Sequence, residues 1–415
     1  MRSVAYVTTT FPTLACFVEN EVHRLMKRGV RVQVFALRGV GRAYQPEHRS
    51  LVAITRAVGS PFHPLGWAAL LEWLIRRPQV LVAETLRMIW ASRGSAYALI
   101  GHLGYLPAAA RVATLVEQGG LERVHGAWAH FPASVAYLAA RLTGRRFSLA
   151  AHAGADLYRT RAFLAHKVQA ADFTACCVRG NAEMLRALAG LSARVEWIYH
   201  GVDLTRFDGA RRARAPEPLL LAVGRISPPK GFDDAVRSLA ALEARGIEAR
   251  LVLAGDGPER RNLERLARRL GIGDRVELRG ALVHDQLLEL YRRAWLLLAP
   301  SRVMPNGRRD GIPNTVIEAM AMGIPCVGTR AAGLEEAIVP GETGALCPPG
   351  DPEGLAAAIA PLLRDPARLD AMGARARQWV AERFDAERNF DRLIGLFDGD
   401  QPAIEEPLAE GTFGP

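Results

Sequence analysis

The sequence predicts an α/β protein of two doubly wound domains that face each other across a cleft. Short apolar strand patterns alternate with helical patterns along most of the 415 residues, and that order is typical of parallel sheets. The alternation stops in a charged, irregular stretch near residue 210 and restarts beyond it. With 49% hydrophobic residues, a chain of this length can form one core in each domain.

The breaks in this alternation set the predicted boundaries. The first domain is expected at 1–205, a linker at 206–218 and the second domain at 219–385. A last helix at 386–398 is expected to pack back on the first domain. Residues 399–415, which are rich in Pro, Gly and Glu, predict a disordered tail.

The first domain opens with a β-α-β unit. Residues 4–10 form an apolar strand pattern, apolar residues recur at helical spacing from 18 to 26, and residues 30–37 alternate as the next strand. Two strands joined by a helix lie parallel in one sheet. More strand and helix patterns follow through residues 123–198.

The second domain alternates more regularly. Strands are predicted at 219–224, 250–255, 275–280, 295–300 and 326–329. Helices are predicted between them at 232–245, 259–270, 287–294 and 315–322. Because ligands of such sheets bind beyond the carboxyl ends of the strands, the loops that follow the strands are the first places to search for functional residues.

Residues 65–93, predicted as one or two helices broken near Pro78, hold three of the seven Trp residues and four Arg residues, among them Arg76 and Arg77. This composition favours a helix at a membrane interface, and an ordinary packed helix pair is the alternative. Residues 1–200 hold 24 Lys and Arg against 11 Asp and Glu. This excess favours an anionic partner, for which we expect a membrane surface and no nucleic acid.

The cysteine content and the N-terminus indicate the compartment. Five cysteines, without C-x-x-C spacing, favour a reduced protein over a disulfide framework or a zinc site. The chain enters a strand pattern at once, so we expect no signal peptide, and no apolar run is expected to cross a bilayer. We therefore expect a cytoplasmic protein, peripheral at the inner face of the plasma membrane.

The strongest candidate site is the segment from Asp310 to Gly323. It follows the strand at 295–300 and opens a helix, where unpaired N–H groups and the helix dipole favour a diphosphate. The pattern Thr315-x-x-Glu318 also fits a capping box, in which Glu318 serves only the helix end. Both interpretations of Glu318 stay open on the local pattern.

A second candidate is the loop from Gly224 to Gly231. Arg225 offers a planar fork and Lys230 a compact charge, so the two suit phosphate oxygens, although charged loop residues are common without a ligand. Gly255 lies in a tight turn after the next strand. The third glycine of a dinucleotide fingerprint is missing there, which argues against NAD.

The remaining candidate is His152, which follows the predicted strand at 146–151. A lone histidine at a strand end is more often a hydrogen-bonded structural residue than a catalytic one. The sequence has no H-x-x-x-H spacing typical of zinc sites and no G-x-S-x-G nucleophile elbow.

Taken in order, six segments resemble those of family 4 glycosyltransferases, above all the bacterial exopolysaccharide and colanic-acid-type enzymes. The segments are 10–21, 130–132, 151–158, 200–203, 224–231 and 310–321. The resemblance implies the GT-B fold, in which the first domain binds the acceptor and the second holds a nucleotide-sugar donor. It implies retaining transfer of a hexose from a UDP- or GDP-sugar to a glycan or lipid-linked acceptor in exopolysaccharide synthesis.

The resemblance also assigns roles to residues of the second domain. It implies that Arg225 and Lys230 bind the diphosphate and offset the charge that builds on it as it departs. It implies that the amides of Asn314, Thr315 and Val316 add to this at the helix start.

Further roles follow from the same resemblance. Glu318 is implied to bind the ribose hydroxyls, Asp310 and His152 to lie by the donor sugar, and the backbone near Val283 to contact the base. Gly255 is counted among the donor-binding residues. No cofactor and no divalent metal are expected, because the leaving phosphate itself helps to remove the acceptor's proton.

Two departures from the family pattern stand out. Asp310 takes the first position of an E-x7-E pattern, where the family usually has the longer Glu. Thr10-Phe11-Pro12 takes the place of a double-glycine loop. The change at Asp310 keeps a second interpretation open, namely a nucleotide-sugar-binding protein on the same fold that acts like an epimerase or is catalytically silent.

Overall fold

Two wholly parallel β-sheets organise the chain in the computed structural model. Within the described chain, the first unit comprises Met1–Ile198 together with residues 393–399, and the second comprises Tyr199–Arg392. The structure describes residues 1–13, 17–43, 46–59, 61–190, 192–209, 213–331 and 333–399.

The division between the units falls between Ile198 and Tyr199, whereas the sequence analysis placed the end of the first domain at 205. The predicted linker at 206–218 belongs to the second unit, and its residues 210–212 lie outside the described chain. The predicted tail also lies outside it from residue 400 onward.

The sheet of the first unit has seven strands. They are β1 (Ser3–Phe11), β2 (Arg31–Val40), β3 (Thr55–Ala57), β4 (Arg123–Gly126), β5 (Arg146–Ala151), β6 (Thr174–Cys176) and β7 (Val195–Trp197). They pair in the order β3-β2-β1-β4-β5-β6-β7, all parallel. The strand order reverses between β1 and β4, as in doubly wound sheets.

Nine α-helices lie between Met1 and Ile198 in the described chain. They are α1 (Phe17–Lys27), α2 (Pro64–Arg76), α3 (Pro78–Ser92), α4 (Ala96–Gly104), α5 (Leu106–Gln118), α6 (Phe131–Thr143), α7 (Ala155–Tyr158), α8 (Leu164–Ala170) and α9 (Arg179–Ala189). The predicted break near Pro78 separates α2 from α3, because a proline has no N–H to continue the helical hydrogen bonds. Helix α6 has Pro132 in its first turn and ends at Gly144 with φ +68°, residues suited to those two positions.

The second unit repeats the plan with six parallel strands. They are β8 (Leu219–Val223), β9 (Arg250–Ala254), β10 (Val276–Gly280), β11 (Leu296–Ala299), β12 (Cys326–Thr329) and β13 (Gly344–Cys347). Their order is β10-β9-β8-β11-β12-β13, so the reversal falls between β8 and β11. The helices that follow them are α10 (Phe232–Ala244), α11 (Arg260–Arg269), α12 (His284–Arg293), α13 (Asn314–Ala321), α14 (Leu334–Ala337), α15 (Pro352–Arg364), α16 (Pro366–Arg383) and α17 (Ala386–Asp398).

The end of α17 completes the core of the first unit. Phe397 is 1% exposed, and its ring lies 5.1 Å from that of Phe173 and 5.2 Å from that of His125. Arg123, also buried, pairs with Asp172 at 2.8 Å and donates to the Phe397 carbonyl at 3.4 Å. The end of α17 therefore belongs to the core of the first unit.

One helical stretch bears on the expectation that no apolar run crosses a bilayer. Ala96–Gln118, which comprises α4 and α5, is long and apolar enough to cross a membrane, judged by length and composition only. In the structure, Ala109, Val112 and Ala113 of this stretch lie in the core of the first unit. Such packing is what a core helix of the same composition shows.

The described cysteines, Cys176, Cys177, Cys326 and Cys347, are buried. Cys16 lies outside the described residues.

Candidate functional site

Four loops at the carboxyl edge of the second sheet carry most of the predicted site residues. Arg225 and Lys230 follow β8, Gly255 follows β9, Val283 follows β10, and residues 310–318 follow β11. Because the strands are parallel, all four loops emerge at the same edge of the sheet. Strands β8 and β11 flank the reversal of strand order, which is the position where doubly wound sheets bind ligands.

Glycines hold the loops after β8, β9 and β10 close together. The Gly224 N–H donates to the Ala254 carbonyl at 2.9 Å, and the Gly255 N–H donates to the Gly280 carbonyl at 2.8 Å. A Cβ on Gly255 would lie 1.8 Å from the Gly224 oxygen, so no other residue fits there without moving the backbone. Gly255 thus sets the distance between two loops of the candidate site.

Lys230 joins the loop after β8 to the loop after β11. Its Nζ lies 3.0 Å from Oδ2 of Asp310, and the two side chains are 19% and 31% exposed. Both side chains are thus partly exposed, although Oδ2 of Asp310 itself is buried. Arg225 is exposed and forms no ion pair with any residue that the structure describes.

The bases of these two loops are fixed to each other. Arg302, after β11, donates to Asp234 at 2.8 Å and to Asp233 at 2.9 Å in the first turn of α10. Gly231, with φ +63°, lies so close to Pro300 that a Cβ would be 1.9 Å from its carbonyl oxygen. The loops that carry Lys230 and Asp310 are thus held in place before any ligand binds, a property that binding sites need.

The start of α13 offers backbone N–H groups beside this ion pair. The helix begins at Asn314, and no side chain caps it. The amides of Asn314 and Thr315 have no hydrogen-bond partner in the described chain, but the Val316 amide donates to the Pro313 carbonyl at 2.9 Å. The prediction of three open amides is therefore wrong for Val316, because the first turn closes on it.

The capping box, one of the two interpretations left open for Glu318, does not form. The hydroxyl of Thr315 donates to the Val223 carbonyl at 3.3 Å, which ties the helix start to the end of β8. Glu318 lies one turn further along the helix, and its carboxylate accepts a hydrogen bond of 2.9 Å from the hydroxyl of Tyr291. Neither side chain completes the reciprocal bonds of a capping box.

Glu318 has an unusual electrostatic environment. Burial raises its pKa to about 7, although the hydrogen bond from Tyr291 and the charge of Arg206 act in the opposite direction. Tyr291 is fully buried in α12 and holds this carboxylate in one position. The sequence analysis missed Tyr291 and Arg206, because each meets Glu318 only through the tertiary fold and neither belongs to a local motif.

Val283 lies at the start of α12 after β10. Its N–H donates to the side chain of Gln286 at 3.3 Å, and its carbonyl accepts from Leu287 at 3.0 Å. Both of its backbone groups thus serve the helix start, whereas its side chain is 43% exposed. The contact with the donor base that is predicted for the backbone near Val283 stays a prediction.

His152 belongs to the first unit, whereas the other predicted site residues belong to the second. It follows β5 and is 6% exposed. Its Nε2–H donates to the Ala127 carbonyl at 3.0 Å, and its backbone N–H donates to Asp156 at 2.9 Å. Burial lowers the pKa of His152, because it disfavours the imidazolium form. The side chain is therefore a neutral, hydrogen-bonded imidazole.

Asp156 and Lys167 form hydrogen bonds with the loop that precedes α6. Asp156 accepts hydrogen bonds from Nδ1 of His130 at 2.8 Å and from its backbone N–H at 3.0 Å, and the bond from the His130 ring lowers the pKa of Asp156 although burial acts to raise it. Lys167 is 1% exposed and donates to the carbonyls of Ala129 and His130. Burial lowers its pKa to about 7. The sequence analysis missed both roles. The only signal was that Lys167 is one of three lysines in a chain with 50 arginines.

The predicted acceptor-side segment at 10–21 is described except for residues 14–16. Thr13 donates its hydroxyl to Glu19 at 3.0 Å, and Glu19 is 1% exposed. Glu21 accepts a hydrogen bond from the buried hydroxyl of Tyr6, and burial raises the pKa of Glu21 to about 7. Two carboxylates of this segment thus serve internal hydrogen bonds.

The second unit matches a known family. Residues 206–379 match the family model described as Glycosyl transferases group 1. This range contains every predicted site residue except His152. The match confirms the predicted resemblance to family 4 glycosyltransferases.

Curated relatives match over a similar length. The chain is 31% identical over 224 residues to the GDP-mannose-dependent alpha-(1-6)-phosphatidylinositol monomannoside mannosyltransferase of Mycolicibacterium smegmatis, which covers 52% of this chain and 59% of that protein. It is 35% identical over 199 residues to WcaL of Salmonella typhimurium, named as a colanic acid biosynthesis glycosyltransferase, over 47% of this chain and 49% of that protein. The chain spans about half the length of the curated relatives it matches.

Solved structures match over nearly the whole chain. Anabaena HepE in complex with UDP superposes with a TM-score of 0.71 at 16% identity, and the match covers 96% of this chain and 100% of that one. At this identity the likeness shows the fold alone. It confirms the predicted GT-B fold class, with two Rossmann-like α/β domains.

Proposed function

We propose that this chain is a retaining hexosyltransferase that uses a nucleotide-sugar donor, because residues 206–379 match the family model described as Glycosyl transferases group 1. The observation that carries the proposal is the gathering of groups at the reversal of the second sheet. There the Lys230–Asp310 pair, the exposed Arg225 and the open amides of Asn314 and Thr315 share one edge. Cations and helix N-termini bind phosphate for the same electrostatic reason.

In this proposal the second unit stabilises the leaving group. As the bond between the anomeric carbon and the diphosphate breaks, negative charge builds on the phosphate oxygens. Lys230 and Arg225 offset that charge, and the amides of Asn314 and Thr315 donate to the same oxygens. The departing phosphate accepts the proton of the acceptor hydroxyl, so the reaction needs neither a dedicated base nor a divalent metal.

Glu318 would bind the ribose of the donor. An ionised carboxylate accepts hydrogen bonds from two neighbouring hydroxyls, and the fixed position of Glu318 favours such a contact. Its pKa of about 7 means that the free protein is only partly ionised there at neutral pH. Donor binding should therefore release a proton from this group.

The donor base and the acceptor are narrower parts of the proposal. Anabaena HepE was solved with UDP, and the mycobacterial relative is named as dependent on GDP-mannose, so a UDP- or GDP-sugar is the donor class to test. The relatives named for colanic acid and for a phosphatidylinositol mannoside support a glycan or lipid-linked acceptor in cell-surface polysaccharide synthesis. An acceptor of this kind would support the predicted location in the cytoplasm, at the inner face of the plasma membrane.

The proposal is tested by donor cleavage. The full chain is incubated with UDP-glucose, GDP-mannose and related donors, and release of the nucleoside diphosphate is followed together with thermal unfolding. We expect one donor to stabilise the folded protein and to be cleaved, since a ligand of the native state raises its stability. Lys230→Ala should lower release by about 10²–10³-fold, and Arg269→Ala, a change of an exposed arginine in α11, should leave it unchanged.

Two results would count against the proposal. No stabilisation by any nucleoside diphosphate or its sugar would remove the donor site altogether. Binding without cleavage, in the presence of polysaccharide or lipid acceptors, would instead favour the catalytically silent or epimerase-like alternative, which the Asp310 change keeps open.

A further inference from the structure

Three successive helices of the first unit expose many large apolar side chains. Of the 18 large hydrophobic residues that are exposed in the described chain, 12 lie between residues 62 and 103. The most exposed are Phe62 at 87%, Ile75 at 74%, Ile100 at 71% and Trp90 at 66%. Single exposed hydrophobic residues are normal, but a concentration of this kind marks an interaction surface.

The exposed residues of α2 form a stripe of their own. Helix α2 buries Gly66, Ala69 and Trp73, which recur at helical spacing. Its exposed Trp67 and Leu71, four residues apart, lie on a different face of the helix. Packing of the protein core thus accounts for one stripe and leaves the other without a partner in the described chain.

Helix α3 repeats this arrangement. It buries Leu81 and Met88 and exposes Val82, Leu86 and Trp90, again four residues apart. The structure also corrects the expectation for the three Trp residues of this region. Trp73 is a core residue whose indole N–H donates to Thr114 at 3.0 Å, whereas Trp67 and Trp90 are more than half exposed.

The cations around these stripes differ in their availability. Arg76 pairs with Glu72 at 2.9 Å and with Glu117 at 2.7 Å, so its charge is already balanced. Arg77 and Arg93 are exposed and pair with no carboxylate in the described chain. The Arg93 guanidinium lies over the Trp90 ring at 4.0 Å from its centroid. The positive charge of Arg93 therefore lies directly beside one exposed aromatic ring, whereas the charge of Arg77 also acts on the Glu117 carboxylate.

We propose that α2, α3 and α4 form a membrane-binding surface that enters one leaflet of an anionic bilayer. Exposed Trp and aliphatic side chains suit the boundary between headgroups and acyl chains, and Arg side chains reach the lipid phosphates. The excess of basic residues in 1–200, with 24 Lys and Arg against 11 Asp and Glu, attracts the same surface at longer range. The consequence for the acceptor rests on the proposed function: a transferase bound at this surface acts on lipid-linked acceptors, which the membrane itself presents.

The first test measures insertion of the full chain into lipid vesicles. Vesicles of phosphatidylcholine alone are compared with vesicles that contain phosphatidylglycerol, by co-sedimentation and by Trp fluorescence. We expect strong binding to the anionic vesicles only, with a shift of Trp emission to shorter wavelength. The double variant Ile75→Asp/Trp90→Asp should lose at least about tenfold in vesicle affinity, because two apolar side chains no longer leave water.

The matched control is Leu188→Asp, which changes an exposed leucine of the same unit at 37% exposure and should bind vesicles as the unchanged protein does. A second variant, Arg77→Glu/Arg93→Glu, should lose about tenfold or more toward anionic vesicles and nothing toward neutral ones. Arg76→Glu should have a smaller effect, since Arg76 already has two carboxylate partners. Thermal unfolding of each variant verifies that it is folded.

Three outcomes would overturn the inference. The unchanged chain fails to sediment with anionic vesicles, Ile75→Asp/Trp90→Asp binds them as the unchanged chain does, or light scattering shows a dimer that this variant dissociates. The last result would identify a second copy of the chain as the occupant. Vesicle binding needs no turnover, so cleavage of donor without vesicle binding defeats only this inference, and vesicle binding without donor cleavage defeats only the proposed function.

Discussion

The two sheets end in polar side chains at the same kind of edge and use them in opposite ways. After β5, Asp156 in α7 and Lys167 in α8 are buried and bond to the loop that follows β4. After β8 and β11, Lys230 and Asp310 pair with each other yet stay partly exposed, and Arg225 is exposed. The same fold position thus holds an internal brace in one unit and an open site in the other.

Because of this difference, similar substitutions in the two units should change the free energy of unfolding by different amounts. When one partner of a buried pair is removed, the other charge stays in a medium of low polarity without compensation. Removal of a buried partner therefore costs stability. An exposed ion pair contributes little to stability, and its removal is felt when a charged ligand arrives. The predictions below test this contrast, and they are ordered by the size of the expected effect.

Lys230→Ala should produce the largest change. Removal of one preorganised cation from a leaving group typically costs about 10²–10³ in rate, so turnover of the donor should fall by about that factor. The free energy of unfolding should change by less than about 1 kcal/mol, since the pair is partly exposed. The rate at saturating donor and urea unfolding measure the two effects. Normal turnover in the variant would show that the open site is not used.

Asp156→Asn should be the strongest test of the internal brace. The neutral amide cannot accept equally from His130 and His152, whose hydrogen bonds to Asp156 are 2.8–3.0 Å long. We expect a loss of about 2–4 kcal/mol in the free energy of unfolding. Asp310→Asn is the matched control in the second unit and should lose less than about 1 kcal/mol. Equal losses in the two variants would contradict the comparison.

Glu318→Gln should change how stability depends on pH. Burial raises the pKa of Glu318 from 4.5 to about 7, so between these values the unfolded chain loses a proton that the folded chain retains. The stability that this group contributes is therefore complete below pH 4.5 and is lost as the pH rises to about 7. Relative to the unchanged protein, the variant should gain about 1–3 kcal/mol between pH 4.5 and 7. Unfolding at several pH values measures the difference, and parallel curves would place the titration elsewhere.

Asp310→Glu should have the smallest effect. The longer side chain restores the residue that the family pattern usually has at this position, and it can still reach Lys230, whose Nζ is now 3.0 Å from Asp310. We expect donor turnover to change by no more than about fivefold, since the charge and the ion pair are kept. A gain of several orders of magnitude would instead show that Asp310 makes the natural protein catalytically weak.

Much of the architecture was predictable because it depends on local patterns. The strand and helix alternation of 219–329 is found within a few residues of where it was predicted, and Pro78 separates two helices because a proline cannot continue one. The residues of the second-unit site also follow from the sequence, since strands that run parallel bring their following loops to one edge. Neither conclusion needs contacts between distant residues.

Other features depended on neighbours that are distant along the chain. Tyr291 replaces the expected capping partner of Glu318, and the first turn of α13 closes on the amide of Val316. The periodicity of 65–93 groups Trp67, Trp73 and Trp90 without distinguishing them, and only Trp73 meets a covering helix. A sequence pattern determines which residues share a face, because that depends on backbone geometry alone. What covers that face, and hence which group is buried, paired or left open, depends on long-range packing and was decided only in the tertiary structure.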